Sequence, residues 1–398
     1  MSAKRTERPC PCCEGRSAEV LHTMRFTLPA ASPLPPCYDL VSCDACGTCC
    51  ADTPKTQADY DFYYAEFSKY ESETLSSGSG AEPEDAQRLR ETAATLAALA
   101  PGTARVLDIG AANGGLLVAL REAGFQALTG LDPSPRCVEA MRRAGFKAVQ
   151  GVLTAPELEP GQFDLVILSH VLEHVVDVHG AMGTIAGLLA ADGLVYVEVP
   201  DAGAYADYAR APYYYFDSEH INHFDIATLR ETLRRCGFST ITGAAKQLRL
   251  PDGPAYPALW IVAQRMPGVA GAPAPAPSFA LRERLLGYIA QSEAASMNVA
   301  IDELAASQRP VLIWGAGQNT MRLLQASRLA QCNIVGIVDG DTHKQGQVFA
   351  GHVIGAPKSL AQWQGQPAPM LLVSAAVHGR RIAEELKSLC PEQPFILV

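Results

Sequence analysis

Residues 106–115 read VLDIGAANGG, and this stretch decides the fold of the chain. The apolar residues 106–109, which include Asp108, predict a buried strand, and the apolar run at 116–120 predicts a helix. Small residues occupy alternate positions of the turn between them: Gly110, Ala112 and Gly114. Small side chains let a ligand lie against the backbone, and a helix N-terminus offers free N–H groups. We therefore predict a ligand-binding turn between a strand and a helix.

A second acidic residue supports this interpretation. The next predicted strand, residues 127–131, is followed by Asp132, twenty-four residues after Asp108. A carboxylate here suits a ribose diol, because its oxygens accept hydrogen bonds from two hydroxyl groups. The pattern D-x-G-x-A-x-G, a strand and a second acid resembles motif I of class I S-adenosylmethionine-dependent methyltransferases, although a dinucleotide fold with a degenerate glycine loop is an alternative. The resemblance implies a cofactor site formed by Asp108, Gly110, Ala112, Gly114 and Asp132.

Composition limits the function classes. The chain has 398 residues, of which 48% are hydrophobic and 19% charged, and this composition indicates a globular protein of about two or three domains. The formal net charge of −10, without a long basic run, argues against a nucleic-acid partner. There is no apolar stretch of about 18 residues, so we expect no membrane partner. The N-terminus lacks an apolar signal segment, so we expect a cytoplasmic location.

Three segments follow one another along the chain. Residues 1–80 are rich in Cys and Tyr, residues 81–265 alternate predicted strands and helices, and residues 279–398 begin a second alternation after a Pro- and Ala-rich linker at 266–278. Alternation of this kind predicts an α/β fold with a parallel sheet. The predicted strands of the central segment are 106–109, 127–131, 163–168, 194–199, 240–244 and 258–263. We predict a central Rossmann-like methyltransferase sheet flanked by a zinc-binding module and a C-terminal Rossmann-like domain.

The N-terminal cysteines predict a metal site. Eight of the twelve cysteines lie in the first fifty residues, and two pairs have C-x-x-C spacing: Cys10, Cys13, Cys43 and Cys46. Two such turns supply four thiolates, a closed tetrahedral set that suits structural zinc. Gly15 and Gly47 follow the pairs, where a positive φ is often needed. The neighbours Cys12, Cys49 and Cys50 are alternative ligands, and a redox-sensitive thiol cluster is an alternative interpretation.

A further segment belongs to the cofactor edge of the predicted sheet. The strand 163–168 is followed by SHVLEHV, which begins at Ser169 and His170. Ligands of open parallel sheets lie beyond the carboxyl ends of the strands, so we predict that both residues bind the cofactor. The side chains at 151–153 are apolar, so recognition of adenine there would fall to backbone groups.

An aromatic run precedes a candidate proton relay. Residues 213–216 read YYYF, and residues 217–224 read DSEHINHF. Imidazoles and carboxylates this close together can move a proton near neutral pH, so Glu219, His220 and His223 are the catalytic candidates. Two alternatives remain open: histidines that hydrogen-bond the loop, and a metal site that uses His220 and His223.

The whole chain resembles the sugar C-methyltransferases that act on nucleotide-linked deoxysugars. The domain order, the Tyr-rich segment 60–70 and the loop 219–224 carry this resemblance. The family loop reads approximately YHEHxxYF; Glu219, His220 and Phe224 match, while Asp217, Ser218 and His223 replace a Tyr, a His and a Tyr. The resemblance implies that His220 is a base oriented by Glu219. It also implies substrate contacts from Tyr63, Tyr64, Tyr70 and Asn222.

The C-terminal segment contains a second glycine turn. Residues 311–317 read VLIWGAG, and the next predicted strand is followed by Asp339. We predict that Gly315, Gly317, Asp339 and Lys344 contact a nucleotide sugar. Candidate countercharges for its phosphates are Arg322, Arg380 and Arg381. A dehydrogenase role for this segment is an alternative, although it has no Tyr-x-x-x-Lys motif.

Together these features predict methyl transfer from S-adenosylmethionine to a carbon of a nucleotide-activated sugar. Removal of a proton next to a ketone would leave an enolate to be alkylated, and this explains the need for a base. O-methylation and a non-catalytic nucleotide-sugar-binding protein remain alternatives.

Overall fold

The computed structural model describes residues 3–67, 78–153, 158–250, 254–266, 276–296, 298–363, 368–389 and 394–398. Tyr70 and most of the predicted linker lie outside these ranges. The described N-terminal elements are β1 (Ala3–Arg5), β2 (Ser17–Arg25), β3 (Cys37–Cys43), β4 (Cys49–Asp52) and α1 (Gln57–Glu66). The central elements are α2 (Pro83–Ala97), β5 (Arg105–Ile109), α3 (Gly115–Glu122), β6 (Ala127–Asp132), α4 (Pro135–Arg143), β7 (Lys147–Gln150), β8 (Phe163–Ser169), α5 (Val178–Leu188), β9 (Leu189–Pro200), β10 (Asn222–His223), α6 (Ile226–Arg235), β11 (Phe238–Leu248) and β12 (Tyr256–Arg265). The C-terminal elements are α7 (Ala280–Ala295), α8 (Val299–Ser307), β13 (Val311–Trp314), α9 (Gln318–Ala326), β14 (Ile334–Val338), β15 (Val348–Phe349), β16 (His352–Gly355), β17 (Met370–Val373), α10 (Gly379–Leu389) and β18 (Phe395–Leu397).

The central sheet has the strand order β11-β12-β9-β8-β5-β6-β7. Strands β5 to β9 pair in parallel, and β12 and β11 add an antiparallel edge. The predicted α/β class with a parallel sheet is therefore confirmed. Strand β7 was not predicted, because its four residues, KAVQ, form a segment too short and too polar to show a strand period.

Apolar side chains cover both faces of this sheet. One face packs against α5 and α6 through residues such as Val166 and Val197, and the other packs against α2, α3 and α4 through residues such as Val106 and Ile167. Burial on both faces is what a continuous apolar strand requires in a doubly covered parallel sheet. The rigid sheet holds the carboxyl ends of β5, β6 and β8 at one edge, where the predicted cofactor residues lie.

The N-terminal sheet is antiparallel and includes one strand, β10, from the central segment. Its order is β1-β2-β3-β4-β10, and Asn222 pairs with Cys50 while His223 pairs with Cys49. The backbone N–H of Ala51 also donates to the carbonyl of Ile221 at 2.8 Å. The loop with the predicted catalytic residues is thus anchored to the cysteine-rich module.

Residues 205–224, which follow β9 and are rich in aromatic side chains, form an insertion that mainly contributes to a hydrophobic core. Tyr205, Tyr215 and Phe216 pack with Tyr288 of α7, and the Tyr205 and Tyr215 rings stack with centroids 4.1 Å apart. Two members of the run 213–216, Tyr214 and Tyr215, also line the large internal cavity. The rings of the insertion replace a conventional aliphatic core between the N-terminal sheet and α7, because aromatic pairs bury large areas at little entropic cost.

The C-terminal region forms a third sheet, with the order β15-β16-β14-β13-β17-β18. Its strands are parallel apart from the β15–β16 hairpin. The turn after β13 and the residues after β14 therefore meet at one sheet edge. A nucleotide-binding role for this α/β region stays a prediction. Among the residues that the structure describes, no helix combines the length and apolar character needed to cross a bilayer.

Candidate active site and metal centre

One cavity of about 1080 Å³ connects all three regions. It runs from the turn after β5, past the insertion, to the turn after β13. The predicted site residues that line it are Tyr64, Asp108, Gly110, Ala112, Asp132, Ser169, His170, His220, Gly315, Gly317, Asp339 and Lys344. Other predicted residues contribute no lining atoms: Tyr63, Gly114, Glu219, Asn222 and His223.

The turn after β5 has the tight geometry that its small residues predict. Gly110 and Ala112 have φ values of 68° and 46°. A Cβ atom on Gly110 would lie 2.7 Å from Val171 Cγ2, so the position excludes larger residues. Gly114 is different, since it caps α3 with φ 84° and a Cβ there would lie 2.8 Å from Met141 Cγ. Gly114 therefore has a role in helix packing, and its predicted cofactor contact stays a prediction.

Two buried carboxyl groups lie behind this turn. The backbone N–H of Ala112 donates to Asp132 Oδ2 at 2.8 Å, and that of Ser134 donates to Asp132 Oδ1 at 2.9 Å. Burial, and then the charge of Asp132, raise the pKa of Asp108 to about 8, while Arg88 opposes the shift. The raised pKa means that Asp108 tends to stay protonated beside the charge of Asp132. A bound cation would favour its ionised form, so the pair suits a positively charged ligand.

Asp132→Asn should raise the dissociation constant of S-adenosylhomocysteine about 10- to 100-fold. The amide nitrogen of Asn cannot accept a hydrogen bond, whether from a backbone N–H or from a ribose hydroxyl. A hydrogen bond to a charged group contributes about 1.5–3 kcal/mol. Isothermal titration calorimetry measures the change. Asp164→Asn is the matched control, because Asp164 pairs with Arg105 at the start of its strand, outside the cavity lining. Unchanged affinity in Asp132→Asn would contradict the assignment of Asp132.

His170 is held between two carboxylates. Its Nδ1 lies 3.2 Å from Glu173 Oε1 and its Nε2 lies 3.1 Å from Glu198 Oε1, while Glu198 also pairs with Lys246 at 2.5 Å. Burial disfavours the imidazolium, but these hydrogen bonds outweigh it and raise the pKa of His170. With both ring nitrogens engaged, His170 presents its ring to the cavity. Glu198 was not among the predicted site residues, although a lone acid within the apolar strand LVYVEVP indicates a special role.

His220 faces the cavity from a short turn. The carboxylate of Asp217 accepts the backbone N–H groups of Glu219 and His220 at 2.9 and 2.7 Å. His220 Nδ1 is buried without a hydrogen-bond partner and lies 3.8 Å from Asp217 Oδ2. The ring centroid lies 4.8 Å from that of His174. The turn therefore places the imidazole ring at the cavity, with a carboxylate beside its Nδ1 atom.

Glu219 is placed differently from the prediction. It accepts hydrogen bonds from Tyr63 Oη at 3.0 Å and from Gln318 Nε2 at 3.1 Å, and it is buried. The carboxylate that lies 3.8 Å from His220 Nδ1 is that of Asp217, which the sequence indicated only as a replacement for a Tyr. Glu219 thus ties the turn to α1 and α9, and Asp217 takes the place predicted for Glu219.

His223 and Asn222 serve the structure. His223 is fully buried, with Nδ1 3.4 Å from Tyr205 Oη. Asn222 donates to the carbonyls of Leu172 and Val175 and accepts from Arg8. Neither side chain lines the cavity, because Asn222 is held by its backbone and Arg8 contacts and His223 packs against the rings of Tyr205 and Phe216. The predicted catalytic role of His223 and substrate contact of Asn222 are therefore not supported.

The buried His223 should make the protein sensitive to acid. Burial, and then the charge of His220, lower the pKa of His223 to about 3, although Asp217 and Glu173 oppose and Arg8 adds to the shift. The unfolded chain, with an ordinary pKa near 6.5, binds the proton first, so stability falls as pH drops below about 6.5. Between pH 6.5 and 5, the loss is about 2 kcal/mol. Urea unfolding of the wild type and His223→Asn should show this difference, and equal pH dependence of the two would refute it.

Three residues beside the cavity form a second cluster of potential ligands. Glu173, His174 and His220 each offer one ligand atom, and these atoms lie within 4.8 Å of one another. Burial lowers the pKa of His174, which favours its neutral form. Tyr64 Oη lies 2.8 Å from His174 Nδ1. The predicted metal alternative named His220 with His223, but the structure brings His220 together with Glu173 and His174.

The predicted cysteine ligands converge. The Sγ atoms of Cys10, Cys13, Cys43 and Cys46 lie within 4.8 Å of one another, with Cys10–Cys46 at 3.6 Å and Cys13–Cys43 at 3.5 Å. Zinc–sulfur bonds of about 2.3 Å give a tetrahedron with edges near 3.8 Å, so the four thiolates fit zinc.

The residues around the four cysteines agree only in part with the predictions made for them. Cys49 and Cys50 belong to β4, and Cys12 is fully buried beside the cluster. Gly47 has the expected positive φ of 76°. In the turn after the first C-x-x-C pair, however, the residue with a left-handed conformation is Glu14, with φ 59°, and not Gly15.

The C-terminal turn resembles the turn after β5 in its hydrogen bonding. The backbone N–H of Ala316 donates to Asp339 Oδ2 at 2.8 Å, and Lys344 Nζ lies 3.4 Å from the same oxygen. Arg322 is not a free countercharge, because it is buried and donates to backbone carbonyls of the insertion. Arg381 pairs with Glu82 at 2.9 Å at the cavity edge.

Residues 83–242 match the family model of a methyltransferase domain. No curated protein matches the chain. Similar solved structures include an S-adenosylmethionine-dependent methyltransferase from Methanosarcina mazei (16% identity, 43% of this chain and 97% of that chain, TM-score 0.39) and one from Mesorhizobium loti (20%, 44%, 100% and 0.37). Another is the 1,6-didemethyltoxoflavin-N1-methyltransferase of Burkholderia thailandensis, solved with bound 1,6-didemethyltoxoflavin and S-adenosylhomocysteine (19%, 55%, 95% and 0.39). At these TM-scores, the similarities say nothing about the substrate of this chain.

The matched segment begins with α2 and ends within β11, so it contains the turn after β5 and the loop with His220. The protein is therefore an enzyme of the methyltransferase class, and S-adenosylmethionine is the cofactor that the family match and the acidic turn support.

Proposed function

We propose that this methyltransferase transfers the methyl group of S-adenosylmethionine to a carbon next to a ketone in a nucleotide-activated sugar. The observation that carries the proposal is the shared cavity. The turn after β5, His220 and the turn after β13 all open into it, so a cofactor at one end and a nucleotide at the other would leave the sugar near His220. A cavity of this size suits two ligands of that kind.

The cofactor site is formed by the chain's acidic turn. When bound, S-adenosylmethionine supplies a methyl group that is electrophilic because it is attached to a sulfonium. Asp132 would accept hydrogen bonds from the ribose, and the backbone at Gly110 would allow close approach. Asp108 would ionise beside a positively charged ligand, which offsets the burial that raises its pKa.

His220 would supply the base. Its imidazole removes the proton next to the ketone, and the electron pair of the broken C–H bond becomes an enolate. Asp217 stabilises the imidazolium that results, because its carboxylate lies 3.8 Å from Nδ1. The enolate carbon then forms the new C–C bond to the methyl group, while the carbon–sulfur bond breaks and its electrons remain on sulfur. A positioned base contributes about 10²–10⁴-fold to such a rate.

The remaining parts hold the substrate and the fold. Gly315 and Gly317 would let a diphosphate approach the N-terminus of α9, with Lys344 as a local positive charge. Zinc in the four-cysteine site would leave no open position, so it would stabilise the N-terminal sheet without taking part in the reaction.

Hydrogen exchange at carbon tests this proposal against O-methylation. The enzyme is mixed in D₂O with a thymidine-diphosphate-linked keto-deoxyhexose, without cofactor, and deuterium next to the ketone is followed by NMR. We expect enzyme-dependent exchange. Absence of exchange, together with methylation of a hydroxyl in a parallel reaction that contains S-adenosylmethionine, would favour O-methylation. Binding of the nucleotide sugar without either reaction would favour the non-catalytic alternative.

A further inference from the structure

Helix α9 connects two functional parts of the molecule. It begins at Gln318, directly after the glycine turn that lines the cavity at Gly315 and Gly317. Gln318 and Arg322 are four residues apart and therefore lie on the same helix face. Both side chains contact the insertion that carries His220, so this face of α9 is attached to the proposed catalytic loop.

Gln318 holds the residues immediately before His220. Its Nε2 donates to Ser218 Oγ at 3.0 Å and to Glu219 Oε1 at 3.1 Å. Tyr63 Oη donates to the same Glu219 oxygen at 3.0 Å. The buried Glu219 carboxylate is thus fixed by donors from two different regions. Because the next residue is His220, the position of Gln318 affects where the imidazole points.

Arg322 supports the start of the same insertion. Its Nη1 donates to the carbonyls of Tyr213 and Tyr214 at 2.9 and 3.0 Å, and the guanidinium is buried. Tyr213 has φ 56°, a left-handed conformation that a residue with a side chain adopts only when its surroundings hold it there. The insertion is therefore held in a constrained shape by the helix that follows the glycine turn.

We infer that Gln318 is a positioning residue that couples nucleotide binding at the Gly315–Gly317 turn to the placement of His220. A diphosphate at this turn would contact the first turn of α9 and so fix Gln318. Gln318 in turn fixes Glu219 and the turn that presents the imidazole. The inference rests on the proposed function, in which His220 is the base, and it assigns to Gln318 no contact with the reacting atoms.

The test compares two glutamines of the same helix. Gln318→Met removes the amide while keeping similar bulk. Gln325→Met is the matched control, because Gln325 Nε2 donates to Thr27 Oγ1 at 2.9 Å, which also joins α9 to the N-terminal region but far along the chain from the His220 loop. The first readout is the NMR signal of the His220 ring in the full-length protein, recorded with and without thymidine diphosphate.

We expect thymidine diphosphate to shift the His220 signal in the wild type and in Gln325→Met but not in Gln318→Met, with similar affinity for the nucleotide in all three. The inference is overturned if thymidine diphosphate shifts the His220 signal of Gln318→Met as much as that of the wild type. It is also overturned if the nucleotide does not shift the His220 signal of the wild type. This readout does not depend on turnover, so it stands apart from the proposed function.

The second readout is the exchange reaction. Gln318→Met should lower its kcat roughly tenfold, the loss of about one hydrogen bond of 1.4 kcal/mol, and leave KM within about twofold. Gln318→Glu should lower kcat further, because a second carboxylate would repel Glu219, and its rate should recover partly at acid pH. Equal kcat in the wild type and both variants overturns the inference. Absence of exchange in the wild type with any ketosugar would refute the proposed function instead.

Discussion

Replacing His220 with Asn is expected to lower the rate of methyl transfer, and of deuterium exchange, by about 10²–10⁴-fold. The imidazole is the titratable group of the insertion that both lines the cavity and has a buried nitrogen without a hydrogen-bond partner. Asn cannot accept a proton from carbon, but it is smaller than His and should fit the turn. Calorimetry should show unchanged affinity for S-adenosylhomocysteine, since the cofactor turn is formed by other residues.

His223→Asn is the matched control for this experiment. It makes the same substitution three residues later, at a side chain that is buried beneath the cavity. Its methyl transfer rate near neutral pH should stay close to that of the wild type. If the two variants lose activity equally, or if His220→Asn keeps full activity, His220 is not the base.

Replacing Cys43 with Ser is expected to remove zinc and to inactivate the enzyme together. Structural zinc sites contribute about 10–16 kcal/mol in small zinc-binding peptides, so losing one of four thiolates should destabilise the N-terminal sheet strongly. The loss should spread to the active site, because β3, which ends at Cys43, pairs with β4, and β4 pairs with β10, which begins two residues after His220. Metal analysis should find about one zinc per wild-type chain and much less in the variant.

Hydrogen–deuterium exchange of the backbone shows whether this coupling exists. Residues 217–224 should exchange faster in Cys43→Ser, whereas the central strands should stay protected. Cys37→Ser is the control, since Cys37 is exposed and lies outside the four-cysteine set. A variant that keeps its metal, or loses it while the loop stays protected, would contradict the structural role. A second metal per chain that disappears in His220→Asn would favour a cation at Glu173, His174 and His220.

The features that were predicted correctly depend on local pattern. The turn after β5 could be placed because strand, small residues, helix and the acid at 132 all lie within about thirty residues. The convergence of the two C-x-x-C pairs followed from ligand spacing alone. In both cases, residues close together in a short segment determine the local geometry, so a sequence pattern is enough to predict it.

The features that were missed depend on contacts between distant residues. Strand β10 is two residues long, and it exists because Asn222 and His223 meet β4 about 170 residues earlier in the chain. His223 is buried there and does not line the cavity. The partner of His220 also differs from the expectation, because Asp217 forms the turn while Glu219 is drawn toward Tyr63 and Gln318. Spacing within the loop does not reveal which of the two acids faces the imidazole.

The central claim is that cofactor and sugar share one cavity with His220 between them. A crystal structure with S-adenosylhomocysteine and a thymidine-diphosphate-linked sugar tests it most directly. We predict the ribose at Asp132, the diphosphate at the Gly315–Gly317 turn, and the sugar carbon between the sulfur atom and the His220 ring. It would be contradicted if the nucleoside lay away from the turn after β5, or if the sugar lay out of reach of His220.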